Sequence, residues 1–260
     1  MKRSLKKFFL IVNLKTLIIS GLALISTLTC IHFNYKAEFP LTLVAISIIF
    51  PIVFSIGGAY KRREVALHEY AAIKGYLRAI YFVSRDWIQD TKPENITKMK
   101  EIISVFFKRF RVMFTSPKSE LIKNEKYVYD CFSDLSLYIK HELREEGLSS
   151  GECSRTNQYL QKMMISFESI KHIYQYRTPR SLKAFSSLFI MLLPIIYGPY
   201  FAFIAEGMSW GLEFVFPILL VMILVSLENI QEHLENPFDQ VGEDDIKFSV
   251  EKFVEGLDHN

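Results

Sequence analysis

Between Phe39 and Tyr60 the chain carries no Asp, Glu, Lys or Arg, and it then meets Lys61, Arg62 and Arg63 in succession. As a helix rising about 1.5 Å per residue, this stretch covers roughly 33 Å, enough to cross the hydrocarbon core of a bilayer. That requirement dominates everything else the sequence can do. Ile46, Phe50 and Phe54 recur at every fourth position of the run, so they project from nearly one helix face. Periodicity leaves two uses for that face open: contact with lipid or a neighbouring helix, or the wall of a conduit.

Three further apolar stretches accompany it. Lys15 divides the first, which predicts an interfacial helix over Leu5–Leu14 and a span over Thr16–Phe33. Asn34–Glu38 is a short turn, and spans three and four are expected over Ala184–Ala205 and from about Met208 to Leu227. Lys2, Arg3, Lys6, Lys7 and Lys15 fall on one side, together with Lys61–Arg63 and the Arg177, Arg180, Lys183 approach to span three. The positive-inside bias makes that side cytoplasmic, so the expected protein is a multi-pass one of the cell membrane with both termini inside. The basic start resembles a signal peptide, but an A-x-A cleavage site is missing and the apolar run is long. Pro51 removes a backbone donor from span two and predicts a kink there, while Gly57 and Gly58 permit close helix contact or a change of direction. Glu213 falls inside span four near its outer edge, either as a functional carboxylate or as a group reaching the interface beside Trp210.

The middle of the chain is polar with a helical period. Tyr70, Ile73, Leu77, Ile80 and Tyr81 continue span two directly as a helix through Asp90. Pro93 opens a second helix, with Thr91 as its expected cap and Ile96, Ile103, Phe106, Phe107 and Phe110 inward. A third is read over about Ser119–Arg144, with Val128, Cys131, Phe132, Leu135, Tyr138 and Ile139 on one face. After a Ser149–Gly151 loop, a fourth over about Cys153–Tyr174 turns Leu160, Met163, Met164, Phe167 and Ile170 to the core. The expected organisation is therefore an all-α membrane protein with an N-terminal segment 1–15, spans one and two over 16–60, a cytosolic helical bundle over 61–183, spans three and four over 184–227, and a cytosolic tail over 228–260.

Signals for chemistry are absent. A formal net charge of +3 in 260 residues is too small to suggest nucleic acid as a partner. Cys30, Cys131 and Cys153 have neither disulfide-framework nor metal-ligand spacing. His68-Glu69 and His141-Glu142 begin like a zinc-protease motif, but Ala72 and Glu145 stand where its second histidine belongs. There is no Gly-rich phosphate loop and no nucleophile elbow, so neither an enzyme nor a resident cofactor is expected.

Two separated stretches resemble the bestrophin family, including its bacterial relatives. Ser55–Glu64 is similar to the family's second-span exit S-F-R-x-N-x-A-Y-x-R-W-W-E: Ala59, Tyr60, Arg62 and Glu64 match, whereas Arg63 and Val65 occupy the neighbourhood of the tryptophans. Asn236, Pro237 and Phe238, followed by Asp244-Asp245, are similar to the N-P-F and acidic segment after the family's fourth span. The resemblance implies a homopentamer whose five second spans line a central pore, with Ile46, Phe50 and Phe54 as its hydrophobic neck. It also implies a second, cytosolic constriction, for which Ile173 and Tyr174 are the candidates. Small inorganic ions would pass, chloride or other small anions first, and membrane lipid would surround the assembly. Bacterial members that conduct monovalent cations supply one alternative, and a non-conducting membrane scaffold that binds partners through its helical bundle supplies another. Eukaryotic members bind calcium after the N-P-F. Here the equivalent run from Asp239 is interrupted, so Glu243, Asp244 and Asp245 make at most a weak cation site and calcium control is not expected.

Overall fold

The computed structural model describes residues 12–89, 91–176, 179–207, 211–240 and 245–258, and among them no strand occurs. The helices are α1 (Leu14–His32), α2 (Leu41–Asp86), α3 (Pro93–Thr115), α4 (Leu121–Leu137), α5 (Ser150–Gln175), α6 (Arg180–Ile204), α7 (Leu212–Glu235) and the short α8 (Val250–Glu255). Four of them, α1, α2, α6 and α7, are long and apolar enough to cross a membrane. Of the expected helix over Leu5–Leu14, residues 5–11 lie outside the described residues, as do Lys2, Arg3, Lys6 and Lys7, while Val12 and Asn13 are not helical and Leu14 opens α1.

The chain divides into two units, one of residues 1–61 and 177–235 and the other of residues 62–176 and 236–260. The first is built from α1, the apolar part of α2, α6 and α7. Ile19 and Ala23 of α1, Ile48 and Ile52 of α2, Leu193 and Tyr197 of α6 and Val221 and Leu224 of α7 form its buried core. Gly198 is what lets α1 and α6 approach: a Cβ there would lie 2.3 Å from the Ser26 hydroxyl oxygen and 3.3 Å from its backbone carbon. At Gly57, where the sequence suggested a close contact, an added Cβ would meet nothing within 4 Å.

Helix α1 starts earlier than expected and takes in Lys15, whose charge is met by Glu228 of α7 at 2.8 Å. The boundary that the sequence placed at Lys15 therefore falls at the Asn13 cap, and Lys15, paired with its own carboxylate, sits inside the first turn. Asn13 caps it, accepting from the Thr16 backbone N–H while Thr16 donates and accepts in return. Helix α2 continues as one helix through Pro51.

The second unit carries an aromatic core. Phe106, Phe107, Phe110 and Phe114 from α3, Phe132 from α4 and Phe167 from α5 are all buried there with Tyr70 and Tyr81 of α2. Their rings meet mostly edge to face, at centroid distances such as 5.4 Å for Phe106–Phe132 and 6.1 Å for Phe110–Phe167. Three local expectations need correction. Thr91 does not cap α3; its hydroxyl donates to the Ile88 carbonyl at 3.1 Å, closing the C-terminal end of α2, and the α3 N-cap is Lys92. Met164 is exposed rather than inward. Helix α5 begins at Ser150, because Ser149 and Glu152 form a reciprocal capping box that draws the supposed loop into the first turn. Between α4 and α5 a π-helical turn spans Tyr138–Glu142.

The segment after α7 belongs to this unit's core. Phe238, Ile246, Phe248, Val250 and Leu257 are buried in it, and Phe238 stacks on Phe114 at 5.0 Å and on Phe248 at 6.4 Å. Helical periodicity does not register such residues, because most of them come from irregular chain.

Candidate functional site

The membrane portion of α2 has two unlike faces. Ile48, Ile52, Ser55 and Ala59 are buried, at spacings of four, three and four residues, and hold the helix in the first unit's core. Ile46, Phe50 and Phe54 look the other way and are 53 %, 60 % and 62 % exposed in the single chain. The Phe50 and Phe54 rings touch edge to face, with centroids 4.5 Å apart and planes at 70°. The stripe is thus a continuous apolar strip that the described residues of this chain do not cover. Gly57 and then Lys61, both exposed, continue it at helical spacing toward the basic end.

The residues that match the family motif divide by burial. Ala59 is buried, while Tyr60 is exposed. Arg62 is half-buried and has a partner. Glu64 is exposed and accepts from Arg63 at 2.8 Å. Pro237 accepts through its carbonyl from the Ile246 backbone N–H at 2.8 Å, and Phe238 is closed in by Phe114, Tyr174 and Phe248. The Asn236 side-chain oxygen is buried. The Asn-Pro-Phe stretch therefore serves as the plug of an aromatic core.

Of the two candidates for a cytosolic constriction, Tyr174 is buried against Phe114 at 5.3 Å, and its hydroxyl lies 3.5 Å from the Ser116 carbonyl. Ile173 is half-buried at the edge of the same core and retains exposed surface. Glu243 and Asp244 lie outside the described residues; Asp245 is half-buried and has a partner. Among the described residues no group of three or more His, Cys, Asp or Glu side chains is placed to hold a metal ion. Glu213 acts locally, its carboxylate accepting from the Gly211 backbone N–H at 2.9 Å in the turn that opens α7. A carboxylate at a helix start also complements the positive end of the helix dipole.

The polar groups that sequence reasoning missed lie at the basic end of the first unit. Glu228, 2 % exposed, accepts from Lys15 and from the Ser187 hydroxyl, and Asn229 donates to Thr16 at 3.2 Å. One turn further on, Lys183 of α6 pairs with Glu235 at 3.0 Å and Glu232 at 3.7 Å. At the opposite end Lys36, in the α1–α2 turn, pairs with Glu206 after α6, and the Ala37 N–H donates to the Pro199 carbonyl at 3.2 Å. A signal existed: Glu228, Glu232 and Glu235 recur at four and three residues on one face of α7, at the end where Lys15 and Lys183 enter their spans.

No protein-family model matches the chain, and no curated protein matches it. Solved structures do. A bacterial bestrophin homologue from Klebsiella pneumoniae carrying a single substitution superposes with a TM-score of 0.73 at 16 % identity, over 94 % of this chain and 97 % of that one. A second structure of the Klebsiella pneumoniae homologue gives 0.71 at 17 % identity, over 96 % of each chain. A third, with another substitution, gives 0.71 at 18 %, over 97 % of each. Four apolar helices, a helical unit completed by the segment after the last of them, and superposition over nearly the whole length lead to one conclusion: this chain has the fold of the bacterial bestrophin homologues.

Proposed function

We propose that the protein is an ion channel of the bestrophin type, a homopentamer in the cell membrane whose five α2 helices surround a central conduit, with both termini cytoplasmic. The observation that carries this reading is the exposed Ile46–Phe50–Phe54 strip on the face of α2 opposite its packed face. One helix cannot enclose water, so a pore wall built from it requires other copies of the chain. Rings of these three side chains would form a neck that closes by dewetting and opens when the helices move outward. Lys61, exposed at the basic end of the strip, favours small anions such as chloride as the permeating species. Ile173 is the better-placed residue for a second narrowing.

Reconstitution in a planar bilayer with a potassium chloride gradient tests this directly. Single-channel currents reversing toward the chloride equilibrium potential are expected, and reversal toward the potassium potential would instead assign a cation channel. Phe50→Ala and Phe54→Ala should each raise open probability or conductance several-fold. Absence of current from a monomeric protein, or unchanged currents in both variants, would remove the neck from the mechanism.

A further inference from the structure

The second unit holds a cleft whose chemistry is unlike that of the strip on α2, and whose argument does not depend on the channel reading. It lies where the end of α4, the π-helical turn and the start of α5 meet, an open groove of about 320 Å³. Lys140 and Arg144 line it together with Ser136, Ser150, Ser154 and Asn157, and no Asp or Glu does. Its floor is Ile139 and Cys153, whose thiol is directed to the Ile139 and Leu148 carbonyls at 3.8 Å and so is not offered to the cleft. Among the described residues, Lys140 and Arg144 form no ion pair, and the side chains of the three serines and Asn157, exposed like the two cations, make no hydrogen bond within the chain.

Two further features point the same way. Ser150 opens the long helix α5, so the cleft sits at its positive end, where backbone N–H groups lack intrahelical partners. The acid of that first turn, Glu152, is held by the capping box to Ser149 and does not line the cleft. The π turn inserts an extra residue between α4 and α5, a device that recurs at functional sites. Two cations, three hydroxyls and an amide around a space of this size suit a ligand with several anionic oxygens. Arginine in particular matches phosphate geometry with paired donors.

We propose that this cleft binds a phosphate-bearing small molecule through Lys140 and Arg144, with the serine hydroxyls and Asn157 completing the hydrogen bonds. The test uses full-length protein in nanodiscs of neutral lipid, titrated calorimetrically with inorganic pyrophosphate. Saturable binding at one site per chain is expected, weakened by about tenfold or more in the Lys140→Gln/Arg144→Gln variant. The Lys108→Gln variant, altered at a lysine outside the cleft, should bind as the wild type does. Both cleft cations are exposed, so the variant should keep its helical circular dichroism; Ser154→Asp, which leaves both cations in place and adds a negative charge, should weaken binding as well. Discs containing phosphatidic acid identify the source of the phosphate: weaker pyrophosphate binding there, in wild type alone, assigns a lipid headgroup, and unchanged binding assigns a soluble ligand. No saturable binding, or equal affinity in wild type and the double variant, overturns the proposal.

Discussion

The Lys15 ammonium, in the first turn of α1, lies 2.8 Å from the Glu228 carboxylate of α7, although 213 residues separate them in the chain. Ser187 of α6 donates to the other carboxylate oxygen, so one buried acid ties three helices of the first unit together. A buried charge is tolerated only while it is paired and hydrogen-bonded. Lys15→Met should therefore cost about 3 kcal/mol. The double variant Lys15→Met/Glu228→Leu should recover much of that loss, because no unpaired charge remains. Thermal unfolding in detergent measures both, and equal melting temperatures for the single and double variants would show that the two residues are not coupled.

The two faces of α2 should separate stability from conduction. Ile52, buried in the core, should cost about 2–5 kcal/mol when replaced by alanine. Phe50→Ala removes a larger side chain yet should change the unfolding midpoint by no more than about 0.5 kcal/mol in a monomeric detergent preparation. The same comparison in the assembled oligomer should show a larger effect at Phe50 if neighbouring copies cover it.

The pH dependence of the second unit should trace to the Glu125–Tyr129–Glu168–Lys171 group. Burial opposes the charge on Glu168, but hydrogen bonds from Lys171 and Tyr129 outweigh it and hold its carboxyl below the usual value of 4.5. Burial likewise opposes the charge on Lys171, and its bonds to Glu168, Tyr129 and Glu125 reverse that and push its pKa up. The Glu168 contribution is thus present above about pH 4.5 and lost as pH falls through its lower folded value, while that of Lys171 is lost only in strong alkali. Glu168→Gln should lower the melting temperature at about pH 7, and the difference should shrink progressively as pH falls below 4.5 and through the lowered folded value. A difference that persists unchanged in acid would place the effect elsewhere.

Phe238 should be among the most sensitive positions outside the spans. It is 1 % exposed and stacked between Phe114 and Phe248, so Phe238→Ala should cost about 3–5 kcal/mol. Limited proteolysis should then cut the second unit at a rate that rises in proportion, with the first unit's helices protected. Wild-type resistance in the variant would mean that the segment after α7 contributes little.

What could be read from the residues followed what periodicity and charge report. The stripes Tyr70–Tyr81 and Phe106–Phe110 are inward because a helix buries one face, and each was visible as spacing alone. The exposed strip at Ile46, Phe50 and Phe54 was visible as a pattern, but its direction needed the burial of Ile48 and Ile52 beside it. Contacts between distant segments were not readable. Lys15 looks like a helix interruption until Glu228 is beside it, and Thr91 looks like a cap for the helix ahead until the carbonyls behind it are seen to be closer. Each wall of the Lys140–Arg144 cleft was visible as spacing, with Ser136, Lys140 and Arg144 at every fourth residue and Ser150, Ser154 and Asn157 on one face of α5, but nothing in the residues says that the two walls face each other.

The burial of Phe238 and Phe248 against Phe110 and Phe114 also sets an order on synthesis. Both partners from α3 leave the ribosome long before α6 and α7 have been made, and at ordinary elongation rates the delay is on the order of ten seconds. Through that interval the aromatic core of the second unit stands open at one side while the last two apolar helices are being inserted. Closure of that core therefore reports that the membrane portion has been delivered, so an assembly assay on nascent chains should find protease resistance appearing late and all at once.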